Sequence, residues 1–79
     1  MTWNPKTDME LQDAVQAFLS KNDYILSDNA EYEPVIDGVH IMIGADTVLR
    51  VGLPPVTNYN IRETEHTEKH LRKRELVSA

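Results

Sequence analysis

Two glycine-bearing turn sequences, Asp37-Gly38 and Gly44-Ala45-Asp46, stand close together and bracket Val39-His40-Ile41-Met42-Ile43. So short an apolar stretch, with β-branched residues at alternate positions, suits the middle strand of a meander and leaves no room for a helix. Asp-Gly between apolar runs predicts a two-residue hairpin, because both central positions of a type I′ turn need positive φ. Pairing Ile36 with Val39 then places Tyr32, Pro34, Ile36, Val39, Ile41 and Ile43 on one face. A three-residue loop at Gly44-Ala45-Asp46 adds Thr47, Leu49 and Val51 to that face. A slip of one residue would invert every side chain, so agreement between the two turns supports the register of a meander over residues 31–52. Pro34 cannot donate to a ladder and belongs at a strand end or on an edge.

Upstream, Thr7-Asp8-Met9-Glu10 has the form of a capping box. Leu11, Ala14, Val15, Phe18 and Leu19 follow at helical spacing, which predicts an amphipathic helix over 8–21. Lys21 suits its last turn, and Asn22 is the residue expected to take the left-handed conformation after it. Tyr24-Ile25-Leu26 is a candidate short strand, and Ser27-Asp28-Asn29 a turn. Gly52-Leu53-Pro54-Pro55 ends the sheet, with the two prolines extended. Asn60-Ile61-Arg62-Glu63 repeats the capping-box form and predicts a second helix over about 60–77, carrying Glu65→Lys69 and Glu68→Arg72 pairs. Its apolar residues, Ile61, Leu71, Leu76 and Val77, make no dense stripe. The expectation is one small α+β domain over 1–79, in α-β-β-β-α order. An antiparallel meander packs on the N-terminal helix, and the C-terminal helix is charged.

At 79 residues the chain is near the lower end of what folds alone, so dimerisation or a partner is expected to help. The absence of cysteine removes disulfides and thiolate chemistry and favours a cytoplasmic location. Met1–Asp8 lacks the basic, apolar, small-residue order of a signal peptide, and no apolar run approaches the roughly 20 residues of a membrane helix. No serine sits in a Gly-x-Ser-x-Gly elbow and no glycine-rich phosphate loop occurs, so neither an enzyme nor a cofactor is expected.

His66 and His70 stand i,i+4, but His66-Thr67-Glu68-Lys69-His70 lacks the glutamate after the first histidine that a metalloprotease helix needs. Both are read as solvated residues, with no metal site. Residues 61–79 hold five Lys or Arg and four Asp or Glu, net +1, whereas residues 1–60 hold three and nine, net −6. Lys69 to Arg74 is the densest basic run, but glutamates early and cations late in one helix also simply complement its dipole. Trp3 is expected over the end of the core and Tyr59 at the entry to the last helix, or either as an interface anchor.

The second face of the sheet would carry Val35, His40, Met42, Val48 and Arg50, too apolar a set for a fully solvated surface. The last helix, a second copy or another protein would cover it. The partner-binding candidates are therefore His40, Met42 and Val48 on that face, Glu31 and Glu33 in an acidic patch with Asp23 and Asp28, and Arg72 and Arg74 on the helix. The leading expectation is a small non-enzymatic accessory or inhibitory factor that binds another protein stoichiometrically, of the kind bacteriophages and mobile elements often encode. That likeness is one of type only. The alternative is a dimeric nucleic-acid-binding regulator using the basic helix.

Overall fold

The structure is a computed structural model and describes residues 3–53 and 59–72. A 3-10 turn at Pro5–Thr7 leads into helix α1, Met9–Lys21. Strands β1 (Glu31–Val35), β2 (Gly38–Ile43), β3 (Asp46–Gly52) and β4 (Asn60–Glu63) form one antiparallel sheet in the order β1-β2-β3-β4, and helix α2 is Thr67–Leu71. The α+β class, the first helix and the meander agree with the sequence reading.

Helix α1 is capped one residue later than the Thr7 capping box implies. The Asp8 carboxylate accepts from the Leu11 amide at 3.1 Å. It also accepts from the Trp3 indole at 2.9 Å and the Tyr59 hydroxyl at 3.0 Å. These donors favour the ionised form, and the Trp3 bond foremost holds the Asp8 pKa below its ordinary value. Trp3 therefore anchors the helix start through its ring nitrogen while staying 42% exposed, and does not seal the core. After the helix, Asp23 and not Asn22 takes the positive φ, at 56°. Tyr24-Ile25-Leu26 makes no strand: Tyr24 bridges Arg72, and the Ile25 amide donates to the Leu71 carbonyl at 2.7 Å.

The first hairpin closes on Val35 and Gly38, so Ile36 and Asp37 form the turn and Ile36 is 104% exposed. The slip from the expected Ile36–Val39 pairing is an even number of residues, so every other side chain keeps its face. Gly38 is required for proximity and not for positive φ: a Cβ there would lie 2.0 Å from the Val51 carbonyl oxygen. In the second hairpin Asp46 is paired with Ile43, leaving a two-residue loop in which Gly44 has φ 62°. Ile41 faces Leu49 and Met42 faces Thr47, so Val48 is the extra residue of a β-bulge. The bulge turns Val48 inward, where it is 0% exposed. Val48 is therefore a core residue, and the expectation of a partner contact there is overturned.

The helix expected from Asn60 begins only at Thr67. Ile61 instead pairs with Val51, extending the row Pro34–Val39–Val51–Ile61 across the core face. Backbone pairing with β3 outweighs a local capping pattern that has few apolar residues behind it. Leu11, Val15 and Leu19 of α1 and Leu71 of α2 join Val39, Ile41, Val48, Leu49 and Val51 in one core. Both helices thus lie on the same side of the sheet. Pro34, Glu31 and Glu33 occupy the edge strand β1, where a missing donor and charge discourage further pairing. The predicted extended prolines and the expected helix beyond Arg72 lie outside the described residues.

Candidate functional site

Alternation along the strands sends the other half of the side chains to the uncovered face. One row across it runs Glu33, His40, Arg50, Arg62 and the next runs Val35, Gly38, Gly52, Asn60. Gly52, in the middle of the second row, lacks a side chain, and the surface dips beside it. The resulting hollow of about 340 Å³ is lined by Val35, Asp37, His40, Arg50, Val51, Gly52, Asn60 and Arg62. Arg50 and Arg62 are direct register partners, and their Cβ atoms stand about 5 Å apart. Like charges placed so destabilise a strand pair unless an anion lies between them. Among the described residues no carboxylate comes within ion-pair distance of either guanidinium.

Of the sequence candidates, His40 and Met42 lie on this face, and Glu31 and Glu33 are exposed beside them on β1, opposite Met42 and His40 respectively. Arg72 is exposed but remote from the hollow, at the end of α2, where its backbone is tied to Tyr24 and to the Glu68 carbonyl. Arg74 lies outside the described residues. Sequence reading hides Arg62, because the capping pattern at Asn60 points to a helix. Arg50 falls on this face by alternation but carries no special signal, since only strand β4 gives it a second guanidinium as a neighbour.

A second cluster forms where α2 meets the β2–β3 turn. The Asp46 carboxylate accepts a hydrogen bond from His70 Nε2 at 2.9 Å, and has His66 Nδ1 at 3.7 Å and Lys69 Nζ at 3.9 Å. The His70 bond, with the adjoining cationic groups, holds the Asp46 carboxyl below the ordinary carboxylate value. The histidines are half-buried and engaged, and not the freely solvated pair expected from the charge pattern. Among the described residues no three His, Cys, Asp or Glu side chains are disposed to hold a metal ion.

The helix itself is fixed by two threonines. Thr64 Oγ1 donates to the Thr47 carbonyl at 2.5 Å, and Thr67 Oγ1 donates to the Val48 carbonyl at 2.6 Å. These carbonyls lie at the bulge, where the ladder is interrupted. Helix α2 is therefore a clamp on β3, and among the described residues neither helix packs on the opposite face. Among the described residues no helix is long and apolar enough to cross a membrane. Comparison with protein-family models, with curated proteins and with solved structures finds no match to this chain.

Proposed function

We propose that this chain is a small non-enzymatic binding protein that docks the open face of its sheet on a larger protein partner, acting stoichiometrically. The observation that carries the reading is the side-by-side placement of Arg50 and Arg62 on a face that neither helix covers. Two adjacent guanidiniums cost stability in the free chain, and a partner's acidic group offsets that cost on binding. The surroundings suit a protein surface: Met42 and Val35 add half-buried apolar area, and Glu31 and Glu33 supply the opposite charge along β1. Charges of both signs on one face fix orientation as well as attraction.

The alternative, nucleic-acid binding by the last helix, has less support. Helix α2 has five residues, its Leu71 is in the core, and Lys69 and His70 are engaged with Asp46. Affinity capture from a native lysate tests the reading. The wild-type chain should retain one host protein, and the double variant Arg50→Glu/Arg62→Glu should lose it while keeping its fold. Equal retention by both proteins would reject the open face as the docking surface.

A further inference from the structure

We infer that the hollow beside Gly52 is a carboxylate-binding site, which receives a single glutamate or aspartate side chain from a docked protein segment through Arg50 and Arg62. The inference rests on the reading of the open face as a docking surface and adds the chemistry of what enters it. A guanidinium presents planar N–H donors that match a carboxylate two at a time. Two such groups on adjoining strands, beside Gly52 with no side chain of its own, leave space for one small anionic group. The volume of about 340 Å³ is at the lower end of ligand-pocket sizes, enough for one acidic side chain and its backbone.

Charge selects a carboxylate over a polyanion. Arg50, Arg62 and Asp37 together give the lining a net charge of +1, which one carboxylate neutralises. A nucleic-acid strand brings a negative charge with every nucleotide. Running across the strands, it would meet Glu33 in the same row as the arginines, and Asp37 at the hollow itself. It would also find no aromatic stacking platform on this face: Phe18, Tyr24, Tyr32 and Tyr59 pack against the core on the other side, and Trp3 is bonded to Asp8 at the start of α1. His40, between Glu33 and Arg50, adds a ring nitrogen able to hydrogen-bond the incoming group. The segment that fits carries its acidic residue over β3 and β4 and a basic residue over β1.

Nuclear magnetic resonance titration of the labelled full chain tests the site. The probes are a capped short peptide with one central glutamate, its glutamine counterpart, inorganic phosphate, and single-stranded oligodeoxythymidine. The glutamate peptide should move the Arg50 and Arg62 Nε–H and Gly52 amide signals saturably, and the glutamine peptide should not. Arg50→Gln/Arg62→Gln should weaken the glutamate peptide roughly tenfold or more, the loss of hydrogen bonds to a charged group. Gly52→Leu should weaken it comparably with both arginines present, because it fills the hollow. A Cβ at position 52 finds its nearest neighbours at 3.7 Å, so the smaller Gly52→Ala is a folded control with a partial effect. Equal shifts from the two peptides, tighter binding of phosphate or of the oligonucleotide, or full affinity in folded Gly52→Leu would each overturn the site. Capture of a host protein through Arg50 and Arg62 alongside a silent glutamate titration would overturn the carboxylate assignment and leave the docking reading standing.

Discussion

Replacing Thr67 by valine keeps the shape of a fully buried side chain and deletes its hydroxyl. That hydroxyl donates to the Val48 carbonyl at 2.6 Å and accepts from the Thr64 amide at 2.7 Å. Val48 has no partner in register on β2, so the bulge itself supplies no neighbour to take over the carbonyl. A buried acceptor left unpaired costs about 1–3 kcal/mol, and the half-buried Thr64 amide recovers part of its own loss from water. The expected destabilisation is about 2–4 kcal/mol for the two bonds together. A domain of this length holds roughly 4–12 kcal/mol in all, so the variant loses a large share of its stability. At about 4–8 °C per kcal/mol, the melting temperature should fall by roughly 8–32 °C. Thermal unfolding followed by circular dichroism measures it. Thr67→Ser retains both bonds and should cost only about 1 kcal/mol for the missing methyl. Melting of Thr67→Val within a few degrees of wild type, or equal damage from serine and valine, would refute the claim that this hydroxyl clamps α2 to the bulge.

Asp46→Asn should destabilise the protein at neutral pH by loosening α2 from the β2–β3 turn. Because the folded-state pKa of Asp46 is depressed, its contribution is present above the unfolded value of 3.8 and lost as pH falls through the lower folded value. The gap in melting temperature between wild type and Asp46→Asn should therefore close on acidification. Tyr24 donates to Glu63 at 2.7 Å, chiefly for which its pKa is pushed up to about 12. A raised phenol pKa stabilises the fold below the unfolded value of 10.0, and that contribution disappears as pH rises to about 12. Ultraviolet titration should show a late tyrosine that Glu63→Gln brings back toward ordinary values. Gly38 and Gly44 should respond differently to alanine: Gly38→Ala should prevent native pairing of β2 with β3, whereas Gly44→Ala, at φ 62° in open space, should cost about 1–2 kcal/mol. Denaturant melts of both variants would expose a wrong assignment of the two roles.

The α1 helix is legible because its apolar spacing is a property of neighbouring residues, although Asp8 and not Thr7 caps it. The faces of β1 and β2 are preserved although the turn sits one residue earlier than expected, because the resulting two-residue slip in pairing keeps the alternation. Gly38 was recognised as special for the wrong reason: the constraint is a carbonyl on β3, distant in sequence. His40 and Met42 were found on the open face by the same alternation, while Arg62 was missed because local capping chemistry pointed to a helix.

By itself the sequence determined an amphipathic first helix, a meander with one apolar face, and a surface with acidic and basic ends. All three follow from periodicity and short-range turn chemistry, which act within a few residues. Tertiary structure decided that residues 60–63 extend the sheet, that a bulge takes Val48 into the core, and that Thr64 and Thr67 hold α2 on the helix-bearing side. It alone set Arg62 beside Arg50, since strand pairing joins residues far apart in the chain. The energy of those contacts exists only after the backbone has closed around them.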